Sequence, residues 1–226
     1  MPTMPSMPSG SARIEDYALI GDCQTAALVN RNGSIDWLCL PRFDSGACFS
    51  ALLGKPEHGR WLVAPASSVR RVTRQYRGDT LVLDTTFETD DGVVTVSDCM
   101  PVRTAEPDLV RLVRGVRGRV AMRTEFVVRF DYGSITPWVR REEWGLQAVA
   151  GPDTLHLRTP VALKPEGWMT VGEFDIEAGQ EVPFVLSWHP SHLPPPAPID
   201  ATSAIATTLE FWRDWAGRCT HEGEWR

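Results

Sequence analysis

The sequence predicts a mainly β protein, an antiparallel sandwich of two sheets (a supersandwich) followed by a C-terminal linker helix. The first observation is a period-two alternation of apolar and polar residues, which dominates from residue 17 to about 188. The second is turn chemistry at short intervals, such as Asn32-Gly33. The third is a proline-rich segment at 189–200, after which apolar residues recur at helical spacing. Many antiparallel strands at this rhythm are typical of a two-sheet sandwich.

The strongest strand signal is RVAMRTEFVVRFDY, residues 119–132. Alternate residues from Val120 to Tyr132 are mostly apolar, whereas charged residues fill most of the positions between them, which predicts one face on a core and one in water. We interpret the arginines between Arg111 and Arg129 as the solvated faces of strands. Arg117-Gly118 is predicted to be a turn between two strands. Asn32-Gly33 is predicted to form a type I′ hairpin turn, because both residues tolerate positive φ.

The chain divides into four segments on composition. Residues 1–13 are predicted to be a disordered tail, 14–188 the β-sandwich domain, 189–200 a stiff proline-rich linker and 201–226 a linker helix. Asp200 is predicted to be the N-cap of this helix and Gly217 its C-cap.

Composition argues against several classes of protein. The net charge of −6 without a basic stripe argues against a nucleic-acid partner. No stretch reaches the ~18 apolar residues of a membrane helix, and the N-terminus has no secretory signal. Five scattered cysteines without a C-x-x-C pair predict reduced thiols in a cytoplasmic protein, with no zinc site. His189-x-x-His192 is interpreted as two linker histidines, so no metal ligand and no cofactor is assigned.

Paired carboxylates are the other candidate chemistry, because glycoside hydrolases use two. The two adjacent pairs are Asp90-Asp91 and Glu142-Glu143. Neighbouring residues on a strand point to opposite faces, so neither pair converges on one bond. We interpret both as solvated turns and assign no catalytic residue.

Nine tryptophans are many for 226 residues, and the most unusual segment is 35–49. It places Trp37, Arg42, Phe43 and Asp44 around a proline and a glycine. Exposed aromatic residues suit sugar stacking and protein interfaces. Two interpretations stay open: a salt-bridged loop that packs its phenylalanines, or a loop at a substrate entrance or domain interface.

The predicted helix is also rich in aromatic residues. Phe211, Trp212 and Trp215 lie close together in FWRDWAGRC. A helix with this many aromatic residues is expected to be covered by another protein surface.

Several motifs resemble the N-terminal segment of bacterial glucoamylase-like and trehalase-like enzymes of glycoside hydrolase family 15. The matching pieces are IEDY at 14–17, IGD at 20–22, GSIDW at 33–37, PRFDS at 41–45 and the C-terminal FWRDWAGRC. The resemblance implies a β-sandwich joined by a helical linker to an (α/α)6 barrel. In that family the barrel carries two catalytic glutamates and hydrolyses α-glucosidic bonds with inversion.

The resemblance implies an accessory role for this sequence, in which no residue matches either catalytic glutamate. We expect it to support the catalytic (α/α)6 domain, shape its substrate entrance and be inactive alone. The segment with Trp37, Arg42, Phe43 and Asp44, and the aromatic residues Phe211, Trp212 and Trp215, are then expected to face that missing or separate domain. One alternative is a stand-alone carbohydrate-binding module, and another is a module that associates with a separately encoded barrel. Exposed barrel-facing surface also predicts self-association. The choice among trehalose, maltooligosaccharides and dextran-type substrates stays open.

Overall fold

The structure, a computed structural model, describes residues 12–103 and 105–223, so most of the predicted tail at 1–13 lies outside the described residues. The described residues form fifteen strands and one α-helix, which confirms the mainly β class. Three 3-10 helices span Ile14–Asp16, Ala51–Leu53 and Pro56–His58. The longer elements are β1 (Tyr17–Gly21), β2 (Ala26–Asn30), β3 (Ser34–Cys39), β4 (Ala47–Phe49), β5 (Arg60–Pro65), β6 (Val69–Tyr76), β7 (Leu83–Thr89), β8 (Gly92–Cys99), β9 (Asp108–Val127), β10 (Trp138–Glu142), β11 (Gly145–Ala150), β12 (Asp153–Arg158), β13 (Leu163–Glu166), β14 (Met169–Glu177), β15 (Glu181–Pro190) and α1 (Ala201–Gly217).

Strand pairing builds two antiparallel sheets that share β9. The first sheet has the order β1-β2-β3-β5-β9-β14-β13, with β4 also paired to β3. The second has the order β6-β7-β8-β9-β15-β12-β11-β10. Apolar side chains from both sheets form one core. The rings of Trp61 in β5 and Phe184 in β15, for example, have centroids 6.2 Å apart. This is the predicted two-sheet sandwich.

The predicted turn at Arg117-Gly118 is wrong, because β9 runs through it as one strand of 20 residues. Up to Gly118 the strand pairs with β8 and β15, and from Arg119 onward it pairs with β14. Gly118 has a φ of +69° at the switch, and a Cβ there would lie 2.1 Å from the carbonyl oxygen of Asp91. Glycine therefore lets the strand leave one sheet and enter the other.

The predicted type I′ turn at Asn32-Gly33 is also wrong. Gly33 has a φ of +87°, but Asn32 does not take a positive φ. The Gly33 N–H donates to the carbonyl of Asn30 at 2.9 Å. The turn between β2 and β3 therefore contains a single left-handed glycine. A separate register shift lies farther along the two strands, between Leu28 and Val29.

Arg111 contradicts the prediction that this run of arginines is solvated, because its side chain is fully buried between the sheets. Its Nε donates to Asp98 Oδ1 at 2.8 Å, and its terminal nitrogens donate to the carbonyls of Trp61 and Gly33 at 2.8 and 2.7 Å. Asp98 and Arg111 belong to the second sheet, whereas Trp61 and Gly33 lie on the side of the first. The guanidinium group therefore ties the two sheets together.

The segment after β15 returns along the second sheet before α1 begins. Arg158 donates to the carbonyl of Pro196 at 3.0 Å, so the proline-rich segment rests on the sheet. Asp200 caps α1 as predicted, because its carboxylate accepts from the N–H of Ser203 at 2.8 Å. Gly217 is the last helical residue rather than a left-handed cap. In the described part of the chain, no helix has the length and apolar character needed to cross a membrane.

One side of α1 covers the outer face of the second sheet. Ala201, Ala204 and Ile205 pack against residues of β9 and β15, such as Val110 and Val185. The second half of the helix extends beyond this cluster and carries the predicted aromatic residues.

Candidate functional site

The loop between β1 and β2 is organised by a buried carboxylate. Asp22 accepts hydrogen bonds from the N–H groups of Gln24 and Thr25 at 3.0 and 2.8 Å. Its other oxygen accepts from Arg103 Nε at 2.6 Å. These bonds stabilise a tight turn in which Cys23 takes a φ of +73° and remains exposed. Asp22 is therefore a structural anchor of this loop.

Residues 40–46, within the predicted segment 35–49, pack directly on this loop. The N–H of Phe43 donates to the carbonyl of Gln24 at 3.1 Å, which joins the two loops. Arg42 donates to both oxygens of Asp44, at 2.9 and 3.1 Å, and both side chains are exposed. These bonds lower the pKa of Asp44 below its usual value. The carboxylate is therefore held in an ion pair and is ill suited to act as a general acid.

Phe43 projects from these two loops into solvent. Its exposed fraction is 61%, which is high for so large an apolar side chain. Together with Cys23, Gln24, Arg42 and Asp44 it borders an open depression of about 350 Å³. The prediction that Phe43 packs within its own loop does not describe this structure.

Trp37 lies beside a third loop, which follows β9. Its ring centroid is 6.0 Å from that of Tyr132, and Trp37 is half-buried. Tyr132 was expected on the core face of a strand, but β9 ends at Val127 and Tyr132 is exposed in the loop. Its N–H donates to the carbonyl of Ala47 at 3.2 Å, which ties the loop to β4.

Backbone strain is concentrated in these loops. Within the described ranges, the non-glycine residues with positive φ are Cys23, Asp131 and Tyr132, and all three lie here. Such conformations cost free energy and persist where the surroundings enforce them, often at functional surfaces. We call residues 22–25, 40–46 and 131–135 the end loops.

The aromatic residues of α1 differ in exposure. Trp212 is buried, with 9% of its surface exposed, and its ring lies edge-on to Phe211 at 5.2 Å and to Trp215 at 5.9 Å. Phe211 and Trp215 are 37% and 59% exposed. Trp212 is therefore already covered within this chain, whereas its two neighbours remain available for contact.

A chain of contacts relates α1 to the end loops. α1 begins near Glu181, to which Thr202 donates at 3.4 Å, and its first half packs in the same cluster as Cys99. Four residues after Cys99, Arg103 binds Asp22 in the first end loop. Trp215 lies in the last turn of this helix.

One member of each adjacent carboxylate pair is held in an ion pair. Asp90 is ion-paired with Arg70, and Glu142 with Arg140 at 2.7 Å. In the described ranges, no group of three or more His, Cys, Asp or Glu side chains is arranged to hold a metal ion.

A buried histidine pair corrects the interpretation of His189 as a linker residue. His189 lies in β15, opposite Thr154 of β12, and its Nε2 is 2.7 Å from Nε2 of His156. Its Nδ1 lies 2.8 Å from the carbonyl of Pro190 and must donate there, so its Nε2 accepts the proton of His156. Burial, His189 and Arg158 lower the pKa of His156 to about 4. Sequence inspection misses the pair because strand pairing joins residues 33 positions apart.

The sequence of this chain is similar to part of several known proteins. A family model described as "Trehalase-like, N-terminal" matches residues 7–187. The trehalase of Mycobacterium tuberculosis is 31% identical over 229 aligned residues, which cover 89% of this chain and 33% of that protein. The trehalase of Thermoplasma volcanium is 25% identical over 220 residues, which cover 95% of this chain and 35% of that protein. This chain thus spans about a third of the length of these curated relatives.

Proposed function

Because this chain belongs to the family of trehalase-like N-terminal domains, we propose that it is a non-catalytic accessory domain of a glycoside hydrolase. The enzyme it serves acts on α-glucosidic bonds, with trehalose as the first candidate substrate and glucan oligosaccharides as the second. The domain supports a catalytic (α/α)6 barrel and shapes its substrate entrance. About two thirds of each relative lies outside the matched region, which leaves room for such a domain in those proteins.

The observation that carries this proposal is the exposure of two large aromatic side chains at positions predicted to face a partner domain. Phe43 is exposed in the end loops, and Trp215 is exposed in the last turn of α1. Large exposed apolar side chains grouped on one surface are typical of an interface. Both groups were predicted from sequence to face the same partner, and we propose that they do so.

The electrostatics of the end loops support a docking role rather than catalysis. Inverting hydrolysis requires a general acid and a general base about 6.5–9.5 Å apart, with room for a water molecule. In the end loops Asp22 is buried against Arg103, and Asp44 is paired with Arg42. The third carboxylate, Asp131, accepts a hydrogen bond from Ser134 Oγ at 3.0 Å within its own loop. All three carboxylates are engaged in contacts within the loops.

The first test is glucose release from trehalose and maltooligosaccharides by this chain alone and by a fusion. In the fusion, the 226-residue chain replaces the matching third of the Mycobacterium tuberculosis trehalase. We expect release by the fusion and none by the isolated chain. Reproducible turnover by the isolated chain after repurification would contradict the accessory role.

The second test places substitutions on the proposed interface. In the fusion, Phe43→Ala and Trp215→Ala are expected to lower thermal stability and glucose release. The matched control is Val116→Ala, an exposed apolar residue near the sheet switch of β9. Equal effects of all three substitutions would argue against docking at the end loops. Binding of trehalose by the isolated chain, detected by tryptophan fluorescence, would instead favour a carbohydrate-binding module.

A further inference from the structure

A second surface feature lies at the open side of the sandwich, between the edges of the two sheets. A cavity of about 450 Å³ is bordered by β10 and β11 of the second sheet and by β13, β14 and the end of β9 from the first. Its volume is within the range of small-molecule sites.

The floor and walls of this cavity are mainly apolar. Leu146 and Leu163 are buried core residues at its base, one from each sheet. Trp168 is 41% exposed at the hairpin between β13 and β14, where its indole ring is available to a ligand. An apolar ligand body therefore finds a hydrophobic floor and an aromatic wall.

The charged residues around the cavity are all cationic, namely Arg129, Arg141 and Lys164, with no carboxylate in the lining. Arg129 donates to the carbonyls of Val128 and Trp168 at 2.7 and 3.3 Å, so its guanidinium is held in place by backbone groups. Within the described ranges neither Arg129 nor Arg141 is ion-paired. Burial also lowers the pKa of Arg129, as expected for a cation without a nearby anion.

This arrangement is unusual in a chain whose net charge is −6. By contrast, all five arginines of β9 have acidic partners, such as Glu181 for Arg114 and Asp175 for Arg119. Two unpaired guanidinium groups beside an apolar floor therefore match the charge and polarity of an amphipathic anion. A neutral sugar is a poorer match, because the only neutral polar side chains in the lining are Thr136 and Thr170.

We propose that this cavity binds a small aliphatic or aromatic acid. Its apolar body packs against Leu146, Leu163 and Trp168, and its carboxylate pairs with Arg129 and Arg141. The site is distinct from the end loops and does not depend on the proposed accessory role. Occupation would join the edges of the two sheets, so binding is expected to raise the thermal stability of the chain.

The test compares two fluorescent probes that differ in charge. Anilinonaphthalene sulfonate is an amphipathic anion, and N-phenyl-naphthylamine is its neutral analogue. We expect the anionic probe to bind the full chain with one-to-one stoichiometry and to be displaced by decanoate. The neutral probe is expected to bind at least tenfold more weakly, because it forms no charge-assisted hydrogen bond.

Matched substitutions on the two faces of β10 test whether the probe binds on the cavity face. Arg141→Gln is expected to weaken binding of the anionic probe about tenfold. Arg140→Gln is the control, because Arg140 lies next to it but faces the outer side with Trp138 and Gln147, so its removal is expected to leave binding unchanged. Val139→Trp fills the mouth of the cavity and is expected to abolish binding. Circular dichroism verifies that each variant is folded.

Three results would overturn the proposal. Equal binding of the charged and neutral probes would indicate apolar adsorption. Equal effects of the two arginine substitutions would indicate a diffuse surface charge. Absence of binding by the anionic probe would mean that the cavity accepts no such ligand.

Discussion

Removal of the buried carboxylate of Asp98 is predicted to destabilise this fold strongly. Its oxygens lie 2.8 and 3.2 Å from two nitrogens of Arg111, and both side chains are completely buried. In Asp98→Asn the amide oxygen can serve only one of these donors, and the amide nitrogen faces a cation. Breaking a buried pair by changing one partner costs about 3–5 kcal/mol, because the other charge stays buried.

The same change tests whether Arg111 joins the sheets. A loss of 3–5 kcal/mol corresponds to a fall in Tm of roughly 10 °C for a domain of this size. Urea unfolding followed by tryptophan fluorescence measures the free energy, and calorimetry measures Tm. Burial raises the pKa of Asp98 despite Arg111, so desolvation outweighs their attraction. Replacing both residues together, as Asp98→Leu with Arg111→Met, is therefore expected to cost less than Asp98→Asn alone.

The control for this experiment is an exposed ion pair on the same strand. Asp175 binds Arg119 at 2.6 Å in solvent, so Asp175→Asn is expected to leave the unfolding transition nearly unchanged. A loss in unfolding free energy below about 1 kcal/mol for Asp98→Asn would refute the reasoning, because a loss that small is typical of an exposed ion pair.

Three further predictions concern pH, association and the helix cap. His156 has a folded pKa of about 4, below its usual value of 6.5, so stability is expected to fall as pH drops from 6.5 to 4. The loss is about 3 kcal/mol and would be absent in His156→Leu, as measured by urea unfolding at each pH. Phe43 and Trp215 are exposed, so the isolated chain is expected to self-associate in sedimentation. Trp215→Ala should weaken this association, and a concentration-independent monomer would contradict it. The pKa of Asp200 is lowered by its bond to Ser203, so the cap is expected to stabilise α1 above the unfolded pKa and weaken as pH falls through the folded pKa. Circular dichroism of Asp200→Ala, which should lack this dependence, is the check.

The fold class could be predicted from the sequence because the alternation of apolar and polar residues in strands and the helical spacing of apolar residues are local signals. Alternate residues from Val120 to Val128 are buried in β9 or just beyond it, as their pattern predicted. The helix and its N-cap at Asp200 followed from a capping residue placed before a run of periodic apolar residues. These features depend on residues that are close along the chain.

The misinterpreted features depend on contacts between distant residues. A glycine after an arginine resembles a turn, but at Gly118 the neighbouring strand decides that the backbone switches sheets. Arg111 alternates with apolar residues like a surface arginine, and only its buried partner Asp98 explains its location. The cavity at Arg141 requires the edges of two sheets. None of these has a local sequence signal.

Part of the candidate site could also be predicted from local features of the sequence. The unusual composition of 35–49 drew attention to Phe43, and the structure places it in solvent. Its connection to the β1–β2 loop through Gln24, and the strained backbone of Tyr132, required the folded chain. The roles of these residues towards a partner stay predictions.

Hydrogen–deuterium exchange is the most direct test of the proposed docking surface. Exchange is compared between the isolated chain and the fusion that carries the catalytic part of the Mycobacterium tuberculosis trehalase. The account predicts added protection at 22–25, 40–46 and 209–217, and unchanged exchange at 114–118 in β9. Unchanged exchange in the end loops and in α1, with protection elsewhere, would contradict it.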